Sequence, residues 1–297
     1  MSENTNWAIE SVGVEKRFGS GEKSVHVLRG VDLSVPAGKL IALYGPSGSG
    51  KTTLLNLLGA LDSQTAGRIS IHGEDITGWS EGRRARLRRQ KMGFIFQNYT
   101  LMPTYTALEN IDIALRLAGF GFFERRKRAD AVLNAVGLTA WSSHMPEELS
   151  GGQRQRVAIA RAMAAQPALV FADEPTSGLD TRTTRKVLGL FRHAAADHGM
   201  TFVIVSHDVL VTEYVDAAYD LTDGKLVRRE QGQPSAPVIS ADEQGNTPSE
   251  PHIPPPKAED VLEEPDFLSD PSIETPIAED ADYSAPPPPS PERTFNP

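Results

Sequence analysis

The 297-residue chain contains no cysteine. That removes disulfides, thiolate metal sites and a cysteine nucleophile from the possible chemistry. It also lacks any uninterrupted run of about 18 apolar residues, the length a membrane-crossing helix needs. The start, MSENTNWAIE, has neither a basic nor an apolar segment, so no signal peptide is expected and the chain should be cytoplasmic and soluble.

A strong basic excess is missing as well. The formal net charge is −9, but it is unevenly spread: from Gln231 onward there are 14 acidic and 2 basic residues, a net −12. This leaves 25 acidic and 28 basic residues, a net +3, for positions 1–230. So small a surplus does not point to nucleic acid as a partner. The stretch 231–297 holds 16 of the 22 prolines and few clustered apolar residues. It reads as an acidic, proline-rich disordered tail, which places the folded domain at about residues 5–230.

What the chain does carry is centred on residues 39–58, KLIALYGPSGSGKTTLLNLL: an apolar run, a glycine-rich turn, then a helical apolar pattern. Gly45, Gly50, Lys51 and Thr52 satisfy the spacing GxxxxGK[ST]. In such a loop, here Gly45, Pro46, Ser47, Gly48, Ser49, Gly50, Lys51, Thr52 and Thr53, backbone N–H groups turn inward around phosphate oxygens and the next helix presents its positive end. Lys51 should reach the β and γ phosphates, and the Thr52 hydroxyl should sit on Mg²⁺. The bland alternative is a Gly/Ser-rich connection; the flanking strand and helix patterns favour the phosphate loop.

Around this loop, residues 7–17 and 25–35 alternate like strands, 40–44 reads as a buried strand, 67–71 as a short strand and 73–77 as a turn. The arginines at 83, 84, 86, 88 and 89 form a cationic helix face, read as solvated in preference to a phosphate or nucleic-acid site. Residues 92–96 have strand length and end in Gln97. Helical spacing then dominates at 107–118 and 124–136, giving a helical insert over about residues 98–156.

Beyond the insert, Ser150, Gly151, Gly152 and Gln153 open a strongly helical stretch. Ser150 fits an N-cap. Two glycines at a helix start also expose N–H groups at the positive end of the macrodipole, a second potential anion site. Residues 168–172 read as a buried strand ending in Asp173 and Glu174. At a strand end near a phosphate loop, Asp173 can hold Mg²⁺ and Glu174 can orient or deprotonate the attacking water. Residues 201–205 form another strand, and it ends in Ser206, His207 and Asp208. The strands ending in Gly45, Glu174 and His207 are expected to converge on one edge of a parallel sheet.

Over roughly residues 5–230 these residues resemble the ATP-binding-cassette (ABC) ATPases. Residues 45–53 look like the Walker A loop, Gln97 like the Q-loop glutamine, 149–153 like the signature sequence, and Asp173 and Glu174 like the end of Walker B. Residues 177–180 look like the D-loop and His207 like the switch histidine. Phe18 falls where the family places an aromatic that stacks on adenine, though tyrosine is commoner there. The resemblance implies an α/β P-loop NTPase core with a parallel-strand sheet, an N-terminal antiparallel β region and a helical subdomain insert.

It further implies ATP and Mg²⁺ as ligands, with Thr52, Gln97 and Asp173 at the metal and Glu174, His207 and Gln97 in catalysis. Ser150, Gly151, Gly152 and Gln153 would complete the site of a second chain, so a homodimer or pseudo-homodimer is implied. Its partner would be an integral membrane permease, with the ATPase peripheral on the cytoplasmic face of the plasma membrane. The words GPSGSGKTTLLNLLGALD and FADEPTSGLD are similar to the macrolide-exporter and lipoprotein-release branch. The related cell-division ATPase and the amino-acid importer ATPases share many of them.

Overall fold

In a computed structural model of the protein, residues 6–229 are described. The tail expected at 231–297, and the outermost expected domain positions 5 and 230, lie outside the described residues. In chain order the strands are β1 (Trp7–Phe18), β2 (Val25–Pro36), β3 (Leu40–Tyr44), β4 (Ala66–Ile71), β5 (Glu74–Asp75), β6 (Met92–Ile95), β7 (Leu169–Asp173), β8 (Thr201–Val205), β9 (Ala217–Thr222) and β10 (Lys225–Arg228). The α-helices are α1 (Lys51–Leu58), α2 (Glu81–Lys91), α3 (Ala107–Leu117), α4 (Phe122–Ala135), α5 (Gly151–Met163) and α6 (Thr181–His198).

The strands form two sheets. One is antiparallel, in the order β2-β1-β4-β5. The other has the order β10-β9-β3-β8-β7-β6, in which all neighbours are parallel except β10 on β9. Every residue of β3, β7 and β8 is buried, as continuous apolar runs in a sheet covered on both faces should be.

The two-residue period of a strand sorts these side chains between two cores. Leu40, Ala42 and Tyr44 of β3, Val170 and Ala172 of β7, and Phe202 and Ile204 of β8 face the layer of α3, α4, α5 and α6. Ile41, Leu43, Leu169, Phe171, Val203 and Val205 face α1 and the antiparallel sheet. The central sheet is thereby clamped, and the loops at its strand ends are held in fixed relation.

Helix starts are set by local chemistry. Thr106 and Glu109 form a reciprocal capping box at α3, as do Ser150 and Gln153 at α5. Asp180 caps α6 by accepting from the Thr183 amide, and Gly199 in the left-handed conformation ends it. The helical insert contains α3 and α4, but α5 continues without a break through residue 156 to Met163. The segment 73–77, expected as a turn, contains the short strand β5, because Glu74 and Asp75 pair with Ile71 and Ser70.

Candidate functional site

Because β3, β8 and β7 are adjacent and parallel, their carboxyl ends share one edge of the sheet. The loop 45–50 leaves β3 there, Asp173 and Glu174 end β7, and Ser206, His207 and Asp208 follow β8. The convergence expected from the sequence is the one observed.

The loop conformation depends on glycine at two positions in particular. Gly45 has φ +144°, and a Cβ there would lie 2.2 Å from the Leu221 carbonyl oxygen. Gly50 has φ +104° at the N-cap of α1, where a Cβ would press to 3.0 Å on both Val27 and Leu28. Residues with a Cβ would therefore have to displace backbone or core. The α1 N-terminus has neither a side-chain cap nor an acidic residue in its first turn, so its positive end is open to an anion. Beside it the Ser49 hydroxyl is buried and has no hydrogen-bond partner among the described residues.

Lys51 Nζ donates to the carbonyl oxygens of Gly45, at 2.8 Å, and Pro46, at 2.9 Å. Burial lowers its pKa, while the charges of Glu174 and Asp173 pull the other way. The ammonium group is thus held at the loop mouth within the field of both carboxylates. Thr52 Oγ1 donates to Asp173 Oδ2 at 2.9 Å, which joins the loop helix to the end of β7. Thr53 follows on α1, partly buried.

Glu174 leaves the strand with φ +52°, uncommon for a residue with a side chain. Its amide donates to the Val205 carbonyl at 2.9 Å and its carbonyl accepts from Ser177. These bonds hold the strained turn in place, as strained residues in functional sites require. Glu174 Oε2 lies 2.9 Å from His207 Nδ1. The pair lines a cleft of about 550 Å³ with Thr176, Ser177, Gly178 and Asp208. A carboxylate oriented by an imidazole can position a water and accept its proton.

The remaining expected residues stand around this edge. Phe18 ends β1, 45 % exposed, with the Lys16 ammonium 4.9 Å from its ring centroid. It pairs with Val25 on β2, the strand whose Val27 and Leu28 abut Gly50. Gln97 is exposed just beyond β6. Ser150 Oγ accepts from the Gln153 amide at 3.2 Å, and Gln153 Oε1 accepts from the Ser150 amide at 2.8 Å. Gly151 and Gly152 lie beside Tyr99, Gly178 and Leu179. No hydrogen bond or ion pair joins residues 150–153 to the loop 45–53 among the described residues.

A family profile described as "ABC transporter" matches residues 28–177. The chain belongs to the ABC transporter family. It is 41 % identical over 238 residues to the macrolide export ATP-binding/permease protein MacB of Marinobacter nauticus, covering 80 % of this chain and 37 % of that protein. The chain thus spans a little over a third of that relative's length. It is 40 % identical over 225 residues to the lipoprotein-releasing system ATP-binding protein LolD of Saccharophagus degradans, covering 76 % of this chain and 98 % of LolD. A solved dimeric bacterial ABC transporter cassette, MJ0796, aligns with a TM-score of 0.72 at 38 % identity, covering 76 % of this chain and all of that one. A second structure of that cassette, in a post-hydrolysis state bound to ADP and Pi, aligns equally well at 37 % identity.

The cassette fold also shows residues that motif reading passed over. Gln155, fully buried on α5, donates to the Pro175 carbonyl at 2.8 Å and so ties the helix opened by Ser150 to the turn carrying Glu174. Asn110, fully buried on α3, accepts from the Met102 amide and donates to the Tyr105 carbonyl, fixing the segment that follows Gln97. A polar residue in an apolar helical stripe was the available signal for both. No helix among the described residues is long and apolar enough to cross a membrane.

Proposed function

We propose that this cassette binds and hydrolyses Mg·ATP, that two copies close head to tail around two nucleotides, and that the cycle drives an integral membrane permease. The observation that carries this reading is the single sheet edge holding the open phosphate loop, the Thr52–Asp173 bond and the Glu174–His207 pair. In this reading Lys51 transfers its charge from the Gly45 and Pro46 carbonyls to the phosphates, the α1 amides hold phosphate oxygens, and Phe18 stacks on the base. Glu174 orients the attacking water and accepts its proton, and His207 holds that carboxylate and faces the γ phosphate.

Mg²⁺ fits this donor set. Thr52 and Asp173 offer hard oxygens 2.9 Å apart, with Gln97 at the next strand end. Among the described residues no group of three or more His, Cys, Asp or Glu side chains could hold a metal ion alone, which suits a cation that takes the rest of its shell from phosphate and water. When bound, the ion would supply charge neutralisation between the β and γ phosphates.

Among the described residues, 150–153 bond to one another and not to the chain's own loop, which leaves them available to the shared site. Each chain offers one phosphate loop and one Ser150-Gly151-Gly152-Gln153 helix start, so each nucleotide would draw on both copies. The names of the relatives favour export or lipoprotein release as the transport step, with the cassette peripheral on the cytoplasmic face of the plasma membrane. Pull-down of the full chain from a detergent extract tests the coupling. An integral membrane permease should co-purify, whereas ribosomal or DNA components would overturn it.

A further inference from the structure

Among the six α-helices described, α2 is the one that buries no residue. Its sequence, EGRRARLRRQK, carries five arginines and a lysine against one glutamate. Part of that charge is spent locally. Arg84 and Arg88 bridge to Glu81, Arg88 also donates to the Ala60 carbonyl, and Arg83 pairs with Glu74 while covering the Trp79 ring. Arg86, Arg89 and Lys91 are exposed and form no hydrogen bond or ion pair among the described residues. Arg86 and Arg89, three residues apart, therefore share an exposed cationic face, while Lys91 stands on another side of the last turn.

Beyond the described residues the same chain carries the opposite charge. Between Glu259 and Asp282 there are ten acidic residues and no lysine, arginine or histidine. This block alone exceeds in magnitude the +3 surplus of positions 1–230.

The topology brings the two within reach. β10 runs antiparallel to β9, so Arg228 leaves the sheet at the edge opposite the phosphate loop. α2 ends at Lys91 and Met92 opens β6, which is parallel to β7, so the last turn of α2 lies at that same opposite edge. β10 and β6 are the two outer strands of the six-stranded sheet, five spacings apart, which amounts to about 24 Å at about 4.8 Å each. The 30 positions from Arg229 to Glu259 supply a contour of up to about 100 Å, well beyond that gap. A tether long enough to span the gap makes docking an intramolecular step with a high effective concentration.

We infer that the acidic block 259–282 docks in cis on the exposed face of α2 that carries Arg86 and Arg89. The contact is electrostatic and multivalent, and it opens as salt screens the pairs. It makes the tail a covering for a strongly cationic helix whose last turn lies at the sheet edge opposite the phosphate loop.

The absence of cysteine gives the test a clean background. Gln90→Cys on α2 and Ser269→Cys in the tail are introduced together into the full-length chain, and a short bismaleimide reports cross-linking within one chain. A second protein carries Ser269→Cys with Phe123→Cys, on the highly exposed tip of α4. The Gln90 pair should cross-link at least tenfold faster than the Phe123 pair at about 50 mM salt, and the advantage should vanish at about 1 M salt, where the Debye length falls to about 3 Å. Adding Arg86→Glu and Arg89→Glu should abolish it, with an unchanged thermal transition as the folding control. Equal rates at the two sites, or a rate indifferent to charge reversal, would overturn the inference. Cross-links formed only between chains would assign the face to a second copy. Binding of phosphatidylglycerol vesicles unaffected by neutralising the tail acids would assign it to lipid. Either of these last results also overturns docking in cis.

Discussion

His207 Nδ1 lies 2.9 Å from Glu174 Oε2, although the histidine side chain is 72 % exposed and the glutamate only 12 %. The carboxylate is held deep in the cleft while its partner reaches in from solvent. In the proposed reaction this asymmetry sets a fixed, water-orienting carboxylate beside an exposed imidazole that faces the substrate.

Lys51→Ala removes the charge whose present partners are the carbonyls of Gly45 and Pro46. Truncating one member of a buried charged contact costs about 2–5 kcal/mol, so Mg·ATP affinity should fall by at least about 30-fold. Calorimetry checks this. Wild-type affinity would remove the phosphate-loop assignment.

Asp216 fastens the start of β3, accepting from the Leu40 amide at 2.9 Å and from Arg192 at 2.8 Å, with Lys39 nearby. Burial raises its pKa, but these donors outweigh burial and the net shift is downward from 3.8. A depressed carboxylate pKa contributes stability above the ordinary value and loses it as pH falls through the folded one. Asp216→Ala should destabilise the fold by about 1.5–3 kcal/mol at pH 7. The gap to wild type in urea titrations should narrow below pH 3.8. A gap constant with pH would contradict the assignment.

The two hydrophobic cores are drawn from residues between Ala8 and Leu221, with Leu226 packed against one of them. A chain ending at Gln231 should therefore fold, hydrolyse ATP, and melt within about 2 °C of the full chain, given that surface changes stay within about 0.5 kcal/mol. Aggregation or loss of a cooperative transition would show that residues beyond 231 belong to the fold.

Under the proposed function, residues 97–109 of the helical insert would form the docking surface for the permease. Tyr99 and Thr100 are tied by Arg161 through their carbonyls, and Leu101 packs on the core. Met102 and Tyr105 are its exposed apolar members, 41 % and 37 % accessible. Met102→Glu with Tyr105→Glu should abolish stimulation of ATP hydrolysis by the reconstituted permease and leave nucleotide affinity unchanged. Undiminished stimulation would count against this surface.

The central strands were legible because β3, β7 and β8 are fully buried and therefore written as unbroken apolar runs flanked by glycine, proline or acid. The polar chemistry was legible because those same strands end in it. β9 and β10 were not assigned from sequence. In AAYDLT and KLVR the apolar residues are too few and too mixed with charge, and pairing on β3 and on each other is what makes them strands. The eighteen-residue α6 was also left unassigned between Asp180 and Thr201, although its caps at Asp180 and Gly199 were readable signals. Gln155 escaped notice because its role, a bond to the Pro175 carbonyl, depends on an element 20 positions away.

The shared-site account is tested most directly by light scattering on the Glu174→Gln protein. That change preserves the side chain's shape and removes the charge needed to activate water, so Mg·ATP should accumulate at the interface. The account predicts a dimer in ATP, monomer in ADP, and loss of the ATP dimer when Ser150→Arg is added, because Ser150 would face the partner's nucleotide. A Glu174→Gln protein that stays monomeric in ATP and hydrolyses it at the wild-type rate would contradict both the role of Glu174 and the site built from two chains.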